Sequence, residues 1–97
     1  MNQTAKVTAL YGFAYSDDAL KFLATVPAKI RGQIKRKIET LAANPHPPGC
    51  KKLSGMESEG EEIYRVRSGD YRVLYLVRGN PHQIIVLDID HRKDVYR

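Results

Sequence analysis

A chain of 97 residues, 42% hydrophobic and 28% charged, has room for one domain (residues 1–97) with a modest core, its first few residues loose, and not for two domains. Its net charge of +5, from 16 Lys and Arg against 11 Asp and Glu, points to a polyanionic partner, either nucleic acid or an acidic protein. No apolar run is long enough to span a membrane and nothing resembling a signal peptide opens the chain, so no membrane partner is expected; the single cysteine fits a reducing cytosol, and a cytoplasmic protein is expected. The single cysteine, Cys50, rules out an internal disulfide, and His46, His82 and His91 are scattered without metal-ligand spacing. Neither a metal nor another cofactor is expected.

Residues 6–15 are rich enough in β-branched and aromatic side chains to form a first strand. Ser16 then reads as an N-cap, with Asp17 and Asp18 in the first turn, where the helix dipole favours negative charge. Ala19, Leu20, Leu23 and Val26 form the apolar stripe of a short helix that Pro27 ends. A second helix is predicted over 28–43, burying Ile30, Ile34, Ile38 and Leu41, and stopped by Asn44-Pro45. Its outer face carries Lys29, Arg31, Lys35, Arg36 and Lys37 with no acid among them over 29–37. A proline-rich loop follows, and Lys51-Lys52-Leu53 leads into a turn rich in Gly and Glu around Gly55. After the hairpin described next, a turn at Gly79-Asn80-Pro81-His82 precedes a last strand over 83–90. On it Ile85, Leu87 and Ile89 are predicted to share one face, with Ile84 and Val86 on the other. The order β-α-α-β-β-β predicts an α+β domain, a helical hairpin packed on one face of a mostly antiparallel sheet.

The hairpin runs from Glu62 to Arg78 and turns at Gly69-Asp70, a dipeptide that two-residue turns favour. With those two residues as the loop, Ser68 pairs with Tyr71, Arg67 with Arg72 and Tyr64 with Tyr75. Tyr64, Val66, Val73 and Tyr75 then point one way, toward the helices, and Arg65, Arg67 and Arg72 line the other, open face. Like charges opposite one another are destabilising, so an anion on that face would relieve them. A three-residue loop would turn Arg72 to the core side; the shorter loop is preferred because a buried arginine would need a carboxylate.

These residues carry a resemblance. The run Tyr64-Arg65-Val66-Arg67-Ser68-Gly69-Asp70-Tyr71-Arg72 and the terminal His91-Arg92-Lys93-Asp94-Val95-Tyr96 resemble the RelE/ParE superfamily of toxins from toxin–antitoxin pairs. Ser16-Asp17-Asp18-Ala19-Leu20, Asn44-Pro45 and Lys51-Lys52-Leu53-Ser54-Gly55 extend the match over nearly the whole chain. Within the superfamily the likeness is to the RelE-like branch. It implies a RelE-like fold and a metal-independent endoribonuclease that cuts mRNA in the ribosomal A site, the 2′-hydroxyl attacking the adjacent phosphate. It implies catalytic roles for Arg65, Arg72, Arg92 and Tyr96, and phosphate-binding roles for Lys52, Arg67 and Lys93. Lys29, Arg31, Lys35 and Arg36 would face the ribosome. A cognate RelB-like antitoxin is the implied partner, with DNA contacted only through it. The chain departs from the family at Arg65 and Ile63, where well-studied members carry lysines, and at Asp90, where some are basic.

Plainer readings stand beside these. The three strand arginines could pair with Glu57–Glu62 and Asp70, Tyr96 could simply pack, and Tyr64, Tyr71 and Tyr75 read as core or cross-strand residues. Cys50, His46 and His82 read as incidental. Two function classes remain open: an mRNA endoribonuclease, favoured by Arg72, Arg92 and Tyr96 together, or a non-nucleolytic member that inhibits gyrase or only binds its antitoxin, favoured by the absent lysines.

Overall fold

Ser16 joins the two layers of the molecule. In the computed structural model, which describes residues 12–58, 60–79 and 82–91, strand β1 (Gly12–Tyr15) ends at this residue and helix α1 (Asp17–Thr25) begins. The Ser16 hydroxyl accepts a hydrogen bond from the Ala19 N–H at 3.0 Å, the N-cap expected from its position. The same hydroxyl donates to the Leu87 carbonyl at 2.6 Å, and the Ser16 N–H donates to Val86 O at 2.9 Å. One small side chain therefore fixes the start of a helix and its place on the sheet.

Helix α2 (Ala28–Thr40) follows directly after Pro27. It is three residues shorter than its apolar pattern predicts. Its last turn tightens, Leu41 N–H bonding to Ile38 O and Ala42 N–H to Glu39 O, which ends the helix with Leu41 still buried. Four further strands complete the domain: β2 (Lys51–Ser58), β3 (Glu61–Ser68), β4 (Tyr71–Gly79) and β5 (His82–His91). The sheet order is β1-β5-β4-β3-β2, with β1 parallel to β5 and every other pair antiparallel. Residues 6–11 of the predicted first strand lie outside the described residues.

The α+β class and the helical hairpin on one face are as the sequence predicts; the strand count is not. Lys51–Ser58, which reads in the sequence as the approach to a turn, is a strand. Its register explains why it is hard to see. Lys51 pairs with Arg65 and Lys52 with Tyr64, but regular pairing resumes only with Glu57 opposite Glu62 and Ser58 opposite Glu61. Four residues of β2, 53–56, are taken up against the single Ile63 of β3, and Gly55 adopts a φ of 76° within the irregularity. Alternation is broken in mid-strand, so no period-two signal survives in the sequence.

The β3–β4 hairpin has the two-residue register, from Ser68 opposite Tyr71 to Tyr64 opposite Tyr75, with Gly69 at a φ of 59°. Val66, Val73 and Tyr75 meet Ala19, Leu23, Ile34, Ile38 and Leu41 in the main core, with Tyr64 and Tyr71 packed against it. β5 is where the predicted faces fail. Leu74 pairs with Asp88 but Tyr75 with Val86, so Leu87 is an extra, bulged residue. The bulge reverses the alternation beyond it. Ile84, Val86 and Ile89 all lie in the core beneath the helices, and Ile89 does not share a face with Ile85.

Tyr75 is wholly buried, and its hydroxyl donates to the Pro45 carbonyl at 2.6 Å, tying the proline-rich loop to the sheet. Burial, with Cys50 close by, raises its phenol well above the ordinary value of 10.0. The folded state therefore holds this proton more tightly than the unfolded chain does. The associated stability is complete below the unfolded value and falls as pH rises past it. Tyr75→Phe should cost about 1 kcal/mol at neutral pH for the lost hydrogen bond, yet show a shallower alkaline loss of melting temperature than the parent. Ser16→Ala should cost about 1–2 kcal/mol in urea unfolding, because it removes both the cap and the tie to the bulge.

Candidate anion-binding face

Period two places Arg65 and Arg67 of β3 and Arg72 of β4 on the sheet face away from the helices, as the hairpin register requires. Arg67 stands directly opposite Arg72 and is exposed; Arg65 is half-buried. That face is not uniformly open. Arg72 is only 6% exposed, and Ile63 and Leu76 are buried on the same side. β4 is the central strand, so side chains of β3 and β5 flank Arg72 on both sides. The expectation of an open arginine is thus corrected: Arg72 lies away from the core and is buried nonetheless.

The carboxylate that a buried guanidinium needs is at hand. Asp90 of β5 lies directly opposite Arg72, and it is on this face only because the Leu87 bulge shifted the alternation. Asp88 is used locally, its Oδ1 accepting the Ile89 N–H at 2.9 Å.

Two of the sequence-derived assignments change. Lys52 lies opposite Tyr64, so it projects on the helix side of the sheet and not among the arginines. There its Nζ is 3.1 Å from Glu62 Oε2, an exposed ion pair, and that hydrogen bond holds the ammonium pKa above its ordinary value. Glu62 is therefore engaged with a lysine rather than with the strand arginines. The lysine that does stand on the arginine face is Lys51, exposed and opposite Arg65. Its side cannot be read from the sequence, because β2 is not legible there as a strand.

Arg31 is the second change. Its Nε donates to Leu23 O at 2.7 Å and its Nη2 to Val26 O at 2.9 Å, so the guanidinium closes the C-terminal end of α1. Lys29, Lys35 and Arg36 remain exposed on α2. Beside Arg31, Leu20, Leu23, Ala24 and Lys35 line a groove of about 350 Å³, in which Leu20 is 52% exposed. A second cleft of about 440 Å³ opens near the other end of the sheet, lined by Glu61, Glu62, Tyr64, Val77 and His46. His46 is more than a loop residue, packing its ring 4.4 Å from that of Tyr64. His91 lies opposite Tyr71 with the rings edge to face at 4.9 Å, and so belongs to the helix side of the sheet. Arg92, Lys93 and Tyr96 lie outside the described residues.

Comparison with known proteins fits this architecture. Residues 13–96 match the family described as the ParE toxin of type II toxin-antitoxin systems, parDE. The chain belongs to the RelE/ParE superfamily of toxins. The RelE1 protein of Methanocaldococcus jannaschii is 37% identical over 81 residues, spanning 80% of this chain and 86% of that protein. Among solved structures, the RelE–RelB complex of Pyrococcus horikoshii aligns with a TM-score of 0.72 at 27% identity, covering 86% of this chain and 96% of that one. The toxin in the RelB–RelE complex of Methanococcus jannaschii gives 0.63 at 31% identity, covering 86% and 94%. The intact E. coli RelBE complex gives 0.68 at 25% identity, covering 84% and 95%. The protein is thus a toxin of a toxin–antitoxin system.

The structural role of Arg31 can be separated from a surface role. Arg31→Ala should destabilise the fold by about 1.5–3 kcal/mol, the range for charge-assisted hydrogen bonds. Lys35→Ala should stay within about 0.5 kcal/mol. Urea unfolding of the two variants measures the difference.

Proposed function

We propose that this toxin is a RelE-like, metal-independent endoribonuclease that binds an mRNA phosphate on the arginine face and promotes attack by the neighbouring 2′-hydroxyl within the ribosome. The observation that carries the reading is the placement of Lys51, Arg65, Arg67 and Arg72 on one side of the sheet, with cations opposite one another at two adjacent positions. Juxtaposed cations repel, and a bound phosphate converts that repulsion into attraction. Arginine suits the task because its planar fork makes paired, charge-assisted hydrogen bonds to phosphate oxygens. Fixed donors of this kind stabilise the extra negative charge of a pentavalent phosphorane, and such stabilisation commonly outweighs every other contribution to catalysis. In this reading Arg92 and Tyr96 are catalytic beside Arg65 and Arg72, Lys93 adds a phosphate contact, and Lys29, Lys35 and Arg36 face the ribosome.

A RelB-like antitoxin is the proposed partner, and DNA is reached only through it. The support is the set of RelE–RelB complexes that the chain resembles, together with the apolar groove at Leu20, rimmed by Lys35, which suits an acidic amphipathic segment. One observation favours a second reading, a toxin that binds without cutting. Asp90 opposes Arg72 and offsets part of the positive charge on the face.

Primer extension on mRNA from cells induced for this protein distinguishes the two. Cuts within codons are expected, and Arg67→Ala should reduce them about 10²-fold, the scale for losing one fixed donor at a developing anion. Growth arrest with intact messages would reject the nuclease reading in favour of the second.

A further inference from the structure

Cleavage by the 2′-hydroxyl needs a proton for the departing 5′-oxygen, and an arginine is a poor source because its guanidinium does not give one up. Among the described residues, Lys51 is the one side chain on the arginine face that is both cationic and able to release a proton. Its position follows from the β2–β3 register: Lys51 is opposite Arg65, whereas Lys52 is turned to the other side and paired with Glu62. Adjacent strands lie about 4.8 Å apart, so Lys51 and Arg65 stand side by side. Cross-strand partners share one face, so both side chains rise from the same side of the sheet. Lys51 is exposed and close to the end of the edge strand, where a bound strand of RNA has access to it.

Resting on the nuclease reading above, we infer that Lys51 is a catalytic residue, the general acid that protonates the leaving group. The 2′-oxygen forms a bond to phosphorus, and its proton passes to water. The bond from phosphorus to the 5′-oxygen breaks with its electron pair going to that oxygen, which takes a proton from Lys51 Nζ. The amine regains its proton from water afterwards. The edge strand thereby supplies a lysine to a hairpin whose own strand carries Arg65 and Ile63.

Single-turnover cleavage of ribosome-bound mRNA tests the assignment. Lys51→Ala should slow cleavage about 10²-fold or more, the usual range for a general acid. Lys51→Arg, which keeps the charge, should bind the message as the parent does and remain slow. Lys21→Ala, on α1, should cut at the parent's rate. A substrate with sulfur in place of the bridging 5′-oxygen has a leaving group that departs without a proton, and on it both Lys51 variants should approach the parent. A Lys51→Arg protein that cuts the ordinary substrate like the parent, or a Lys51→Ala deficit unchanged by sulfur, overturns the role of Lys51 alone. A parent protein that makes no cut overturns the nuclease reading, and this assignment with it.

Discussion

The extra residue in β5 is the constraint on which the arrangement of this protein depends. Leu87 interrupts the alternation of the strand, and everything after it changes sides. Ile89 enters the core and Asp90 turns to the arginine face. Without the bulge, strict alternation would bury Asp90 with Ile84 and Val86 beneath the helices, an unpaired charge in an apolar layer. The irregularity has its own supports: Ser16 bonds to the carbonyls of Val86 and Leu87, and the Asp88 carboxylate accepts the Ile89 N–H. A helix cap, a sheet irregularity and the charge balance of the far face are therefore one connected feature.

That connection explains how a sheet can be buried on both faces and still present a charged surface. On the helix side the core is apolar, closed by Ile34, Ile38 and Leu41 over Val73, Tyr75 and Val86. On the other side Ile63, Leu76 and Arg72 are all buried, and charge becomes exposed outward from the central strand, through Arg65 and Arg67 to Lys51 at the edge. In the proposed reading the buried guanidinium in the centre is the preorganised donor, and the cations toward the edge are those that meet the phosphate. Preorganisation of donors is what makes an oxyanion site effective, since little rearrangement is needed as charge develops.

The features legible in the sequence are those governed by near neighbours. Ser16 followed by two aspartates makes an N-cap, and Pro27 separates the helices. Gly69-Asp70 sets the register of the hairpin and hence the common side of Arg65, Arg67 and Arg72. Keeping Arg72 out of burial is the sequence's reason for preferring the two-residue turn. The register is right, but Arg72 is buried on the opposite face, with Asp90 in front of it. Lys52 is similarly instructive. Its basic character fits the motif, yet a single step along the strand decides whether a side chain meets the arginines or Glu62. That step is set by β2, whose irregular pairing hides it from any periodic reading.

By itself, then, the sequence determined the class of the fold, the two helices with their apolar stripes (exposed only at Leu20), the hairpin register, and a concentration of arginines on one side of it. These follow from local sterics and from the periods of helix and strand. Tertiary structure alone decided that β2 is a strand, that Lys51 and not Lys52 joins the arginines, that Arg31 closes a helix, and that Asp90 faces Arg72. Each of these depends on which residues of a distant segment lie opposite. One inserted residue, held in place by hydrogen bonds from another element, reverses every side chain beyond it without leaving a periodic trace in the chain.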